Sequence, residues 1–148
     1  DPCARAAWVG IHSRTTRAEL ARSVIEGATF AMNDALMAFH DRGLPVRQIR
    51  LSGGGARSEF WRQLQANIYG SACVTINAQE GPAYGAAILA AVGTGRYASV
   101  KEACSAAISI TRIIKPQPAL RRVYHRYYEQ YRRLYPALKD EFARIALL

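Results

Sequence analysis

Four sets of residues in this 148-residue chain could do chemistry: a glycine run, three histidines, three cysteines, and a basic, aromatic stretch near the C-terminus. The glycines stand in Ser52-Gly53-Gly54-Gly55-Ala56-Arg57-Ser58, after the β-leaning stretch Val46 to Leu51 and before Phe60, Trp61, Leu64 and Ile68 at helical spacing. Backbone without side chains lets amides approach a phosphate, and the following helix N-terminus adds a favourable dipole. Nucleotide binding suits such a turn; a plain tight turn is the alternative that spacing alone leaves open. The segment is not a Walker loop, which closes on lysine and Ser/Thr, because it contains no lysine. It also departs from the dinucleotide fingerprint: Ser58 stands at the third glycine's place, and the next strand ends at Asn77 without an acid for a ribose. His12, His40, His125, Cys3, Cys73 and Cys104 share no metal-ligand spacing, so no metal site is expected in the chain. Arg121 to Tyr128 and Arg132 to Tyr135 interleave guanidinium groups with aromatic rings, as single-stranded nucleic-acid surfaces do. Their tyrosines keep helical spacing, which favours one packed face with the arginines solvated, so no nucleic-acid partner is expected.

The elements that must position these residues alternate. Thr16-Arg17-Ala18-Glu19 reads as a capping box that opens a helix over about Thr16 to Arg42, stopped by Gly43 and Pro45. Leu20, Val24, Ala28, Ala31, Ala35 and Phe39 form its principal apolar stripe, and Ile25, Phe30, Met32 and Leu36 extend it, so burial on more than one side is expected. A strand over Val46 to Leu51, the glycine turn, a helix ending at Gly70, a second strand over Cys73 to Ile76 and a helix starting at Glu80-Gly81-Pro82 follow. Gly85, Ala86, Ala87, Ala90 and Ala91 on that helix predict tight packing against a neighbour. Ser99 to Glu102 is a second capping box for a helix to about Ala107, and Ile108 to Lys115 is extended. The last helix carries Leu120, Tyr124, Tyr127, Tyr131, Leu134, Leu138 and Phe142 at three- and four-residue spacing. Strand and helix in alternation predict an α/β fold.

Composition frames this reading. Half of the residues are apolar and 21% are charged, which is ordinary for a globular protein, and the length sets one domain over residues 1–148. A formal charge of +9 attracts polyanions without choosing among nucleic acid, membrane and nucleotide. Three cysteines without a CxxC pair read as thiols of a reducing cytoplasm. The longest strongly apolar run, Ala86 to Val92, falls far short of the roughly 20 residues of a membrane helix, so no membrane partner is expected. A start at Asp1-Pro2 without methionine reads as a piece of a longer or processed polypeptide.

Three blocks in order carry a resemblance. Leu51 to Ser58 with Trp61, then Glu80-Gly81-Pro82-Ala83-Tyr84-Gly85-Ala86-Ala87, resemble the nucleotide lobe of FGGY-family carbohydrate kinases. Ala6, Trp8, Gly10 and Ile11, then Glu19, Leu20, Ser23, Val24, Ile25 and Glu26, are similar to that family's second signature. The Glu80 to Ala87 block and the opening Asp1 to Arg5 look most like the family's xylulose-phosphorylating members.

The resemblance implies an actin-like ATPase (ribonuclease H-like) domain, the C-terminal lobe of a two-lobe sugar kinase that moves the γ-phosphoryl of ATP, with Mg²⁺, to a ketose or polyol hydroxyl. The sugar and the carboxylate base belong mainly to the other lobe, so no catalytic residue is assigned in this chain and the lobe alone is expected to be inactive. Gly53, Gly54 and Gly55, with Ala56, are expected against the ribose and α-phosphate, Ser58 near the adenine and Trp61 leaning on the base, although the spacing of Trp61 also fits the core. Glu80 orients the neighbouring turn or simply favours a helix start. His12, Arg14 and Thr15 are candidates for a phosphate or the lobe interface. A homodimer is one way for an isolated lobe to cover the apolar surface its partner would meet. A stand-alone nucleotide-binding regulatory module and a basic nucleic-acid-binding domain are the rival functions.

Overall fold

The computed structural model describes residues 1–78 and 81–148. Its first helix, α1 (Arg17–Asp41), begins at the expected capping box: Thr16 Oγ1 accepts from Glu19 N–H, and the Glu19 carboxylate accepts from Thr16 N–H at 2.7 Å. The Thr16 N–H and hydroxyl hold the Glu19 carboxyl below the ordinary carboxylate range. Gly43, at φ +67°, follows the Arg42 cap and ends the helix.

Strand β1 (Ile49–Leu51) is shorter than the sequence suggests, and a 3-10 turn, Gly54–Arg57, connects it to α2 (Glu59–Tyr69). Ser58 caps α2 by accepting from Trp61 N–H, and Gly70, left-handed at φ 63°, closes it. Strand β2 (Cys73–Ile76), α3 (Gly81–Gly93), α4 (Val100–Ala107), β3 (Ile110–Ile114) and α5 (Pro118–Ile145) complete the order. The sheet runs β1-β2-β3, with β1 and β2 parallel (Leu51 beside Thr75) and β2 and β3 antiparallel (Cys73 beside Ile114).

Helix α2 is the middle layer. On one side Ala66 meets Leu51 and Cys73 of the sheet, with Ile49, Tyr69 and Ile114 at the margin. Burial there pushes the Cys73 thiol up to about 11. On its other side Leu64 and Ile68 meet Phe30 of α1 and Tyr124 and Tyr128 of α5. The Phe30 ring lies 5.8 Å from that of Tyr128 and 5.3 Å from that of Tyr131. Asn67, buried in the middle of α2, accepts from Gln63 and from the Gln117 backbone N–H, which fixes the start of α5.

The packed faces differ from those expected on four helices. On α1 the buried residues are Thr29, Phe30 and Asn33, whereas Val24 and Phe39 of the expected stripe are more than half exposed. Phe30 is the side chain long enough to reach α5, and Thr29 is buried because its hydroxyl is hydrogen-bonded. On α5 Tyr128 takes the buried place expected of Tyr127, which is exposed. On α2 Phe60 is exposed, with the Arg22 guanidinium 5.4 Å from its ring centre. The small residues of α3 also lack the close neighbour expected: a methyl group at Gly85 would meet nothing within 4 Å, and Ile88 is the buried residue of that helix. Helix α3 is anchored instead by Tyr84, whose hydroxyl donates to Ala107 O at the end of α4.

Truncating the α1 anchor removes contacts to two helices at once. Phe30→Ala should cost about 3–5 kcal/mol in urea unfolding, against less than about 0.5 kcal/mol for Val24→Ala.

Candidate functional site

The glycine turn sits where β1 ends. Gly53 has φ +79°, a conformation that side chains resist, and it turns the chain out of the sheet. Ala56 N–H then donates to Gly53 O at 3.1 Å and Ser58 N–H to Gly55 O at 3.2 Å, closing the 3-10 turn. Among the described residues, the amides of Gly54 and Gly55 donate to no protein acceptor.

Beneath the turn lies Trp61. A Cβ placed on Gly55 would stand 2.8 Å from Cε3 and Cζ3 of the indole, so only glycine fits there. The indole Nε1–H donates to Thr29 Oγ1 at 2.9 Å, and the Thr29 hydroxyl donates to Ile25 O at 2.7 Å. One aromatic side chain thereby ties the turn to α1. Gly54 is the opposite case, for a Cβ there would meet nothing within 4 Å. Packing within the described residues therefore does not require a glycine at position 54.

A cleft of about 340 Å³ opens beside the turn at the C-terminal ends of the parallel strands, where ligands of open α/β sheets bind. Ser52, Gly53 and Ala56 line it from the turn, Arg57 and Arg62 from the turn's exit and α2, and Thr75, Ile76, Thr111 and Arg112 from β2 and β3. Thr75 Oγ1 and Thr111 Oγ1 are hydrogen-bonded to each other at 2.9 Å across those strands. The start of α3 is adjacent, since a Cβ on Gly81 would lie 3.9 Å from Ser52 Oγ. The second glycine-containing block thus meets the first in space. Asn77 holds the far end of β2 by bonding Ser109 N–H and Ala107 O.

The structure brings Gly53 and Ala56 to the cleft, with Gly54 and Gly55 in the same turn. Ser58 spends its hydroxyl on the α2 cap, and Trp61 packs with the Phe30 cluster below the turn instead of leaning into the cleft. His12 and Thr15 close a local turn: Thr15 Oγ1 accepts from His12 N–H at 3.0 Å, and His12 Nδ1 accepts from Arg14 N–H at 3.1 Å. They are apart from the cleft. Glu80 lies outside the described residues. Sequence reasoning missed Arg62, Thr75, Thr111 and Arg112. The threonines and Arg112 come together only through strand pairing, but Arg62 carried a readable signal: it is the fourth residue of a capped helix, and helical side chains lean toward the N-terminus.

Among the described residues no group of three or more His, Cys, Asp or Glu could hold a metal ion, and no helix is long and apolar enough to cross a membrane. The cysteines are free thiols.

Strand, glycine turn, helix and a second helix start converge on one cleft in an α/β arrangement consistent with the actin-like ATPase fold of the solved structures it resembles. The profile described as "FGGY family of carbohydrate kinases, C-terminal domain" matches residues 1–94, and the chain belongs to that family. A xylulose kinase of Staphylococcus epidermidis is 35% identical over 140 residues, covering 95% of this chain and 28% of that protein. Ligand-bound xylulose kinase from Lactobacillus acidophilus superposes with a TM-score of 0.85 at 28% identity, over 98% of this chain and 29% of that one. Xylulose kinase from Rhodospirillum rubrum gives 0.82 at 29% identity, over 97% and 29%. The chain therefore spans less than a third of the length of these relatives.

The contrast between neighbouring glycines is testable by denaturant unfolding. Gly55→Ala should cost about 1–3 kcal/mol through its collision with the Trp61 ring, and Gly54→Ala should stay within about 0.5 kcal/mol. Equal losses at the two positions would contradict the packing described.

Proposed function

We propose that this chain is the ATP-binding lobe of a carbohydrate kinase that transfers the γ-phosphoryl of ATP to a hydroxyl of a ketose or polyol, xylulose being favoured by the relatives it matches. Support comes chiefly from one observation: among the described residues the amides of Gly54 and Gly55 meet no protein acceptor, and they belong to the turn whose Gly53 and Ala56 line a cleft at the strand ends. Gly53, Gly54, Gly55 and Ala56 are the binding residues of this reading. Ser58 and Trp61 act from behind, as helix cap and as the platform of the turn.

The chemistry asked of this lobe is positioning. Phosphoryl transfer needs its reacting groups held in line and the developing charge neutralised more than it needs covalent help. A turn that fixes the nucleoside and its first phosphate by backbone amides aims the γ-phosphoryl outward, toward a second lobe that supplies the sugar and the proton-accepting carboxylate. Closure of the two lobes excludes water, so the lobe by itself is expected to show no sugar kinase activity. The described residues gather no cluster of metal-binding side chains, and Mg²⁺ would arrive on the phosphates of ATP. The free thiols agree with a reducing, cytoplasmic setting. For the basic face of α5, Tyr124 and Tyr128 pack inward and Arg132 lies near Asp34, an arrangement that fits a structural helix.

Isothermal titration with ADP tests the reading. The native chain should bind, and Gly54→Val, whose Cβ meets nothing within 4 Å and whose methyl groups would stand in the proposed ligand space, should weaken binding at least tenfold at unchanged unfolding midpoint. Absence of binding by the native folded chain would refute it, as would equal affinity of the variant.

A further inference from the structure

We propose that Arg62 is a positioning residue for the nucleotide turn: by donating to the carbonyls that end the turn, it holds the Gly54 and Gly55 amides in the orientation that receives an anionic ligand oxygen. The proposal rests on the nucleotide reading above and adds a residue that the glycine motif does not contain.

The 3-10 turn has four residues, Gly54–Arg57, and its last carbonyls have no donor within it. Arg62 Nη1 supplies one, at 2.6 Å from Ala56 O and 3.2 Å from Arg57 O. A guanidinium donor makes these charge-assisted bonds, stronger than those between neutral partners. The side chain reaches back from the second turn of α2 over the capped helix start, the direction in which helical side chains lean. Gly53, Gly54 and Gly55 carry no side chain by which the turn could be held, and glycine has the most conformational freedom to lose. Among the described residues, the Trp61 ring confines it from beneath Gly55, and Arg62 from the exit. Arg62 also lines the cleft, so its charge stands on the side from which an anion enters. One side chain thereby orders the donors and favours the sign of the ligand they meet.

The test compares the full chain with Arg62→Met, which removes donor and charge, and Arg62→Lys, which keeps both on an unbranched stem. Two readouts are taken: the backbone amide resonances of Gly54 and Gly55 without ligand, and the dissociation constant for ADP. Unfolding midpoints ensure that affinities are compared among folded proteins, and Arg62→Gln replaces the methionine variant if that one does not fold. The expected result is displaced Gly54 and Gly55 resonances and an ADP affinity at least fivefold weaker in Arg62→Met, with both restored to within about twofold in Arg62→Lys, since a lysine ammonium can also donate to these carbonyls. Unmoved resonances, an unchanged affinity in Arg62→Met, or a lysine variant that restores the resonances yet binds no better than methionine, would each overturn the proposal. If the native chain binds no ADP, the nucleotide reading fails instead, and the ligand-free resonances still decide whether Arg62 orders the turn.

Discussion

The contact on which this lobe depends is the Trp61 indole wedged between Gly55 and Thr29. Its ring forms the floor under a stretch of chain that has no side chains of its own, and its N–H is satisfied by the helix on the far side. A smaller residue at position 61 would leave the turn unsupported, and a larger one at position 55 would collide with the ring. The glycine triplet is thus three different requirements. Gly53 answers to backbone conformation and Gly55 to packing, while Gly54 has neither a left-handed backbone nor a neighbour that a Cβ would meet.

What keeps the floor in place is the position of α2 between the sheet and the pair α1 and α5. Aromatic packing around Phe30 is reinforced at two polar junctions. The Tyr124 hydroxyl donates to Glu26, which also pairs with Arg22 at 2.8 Å, and the Tyr128 hydroxyl donates to Asp34, 3.9 Å from Arg132. Burial and then the Asp34 carboxylate hold the Tyr128 phenol well above its ordinary range, so it stays a donor at any physiological pH. The exposed ion pairs add little stability by themselves. Their contribution is alignment of the two long helices behind the turn.

Much of this was legible from local chemistry. The capping box at Thr16, the Ser99 cap (whose Glu102 accepts from Ala98 N–H in place of the expected Ser99 N–H), the stop at Gly70 and the β-branched run into Asn77 mark elements because their causes lie within a few residues. Which face of α1 is buried was not legible. Alanines line several sides of it, and the face that wins carries two polar residues, Thr29 and Asn33, of which Thr29 meets the distant Trp61 indole. The choice of Tyr128 over Tyr127 has the same origin, in a hydroxyl that meets Asp34. At the site the turn was legible and its surroundings were not. Thr75, Thr111 and Arg112 converge through an antiparallel pairing whose register shifts at Thr75 and Ile76, and no spacing in the sequence announces that.

The proposed nucleotide binding requires the Gly54 and Gly55 amides to be free to meet a ligand oxygen. Hydrogen exchange at these two amides, measured with and without saturating ADP, addresses it most directly. The account predicts rapid exchange in the free chain and strong, localised protection when ADP is bound. Amides already protected without ligand, or exchange unchanged by ADP while the nucleotide is demonstrably bound, would contradict it.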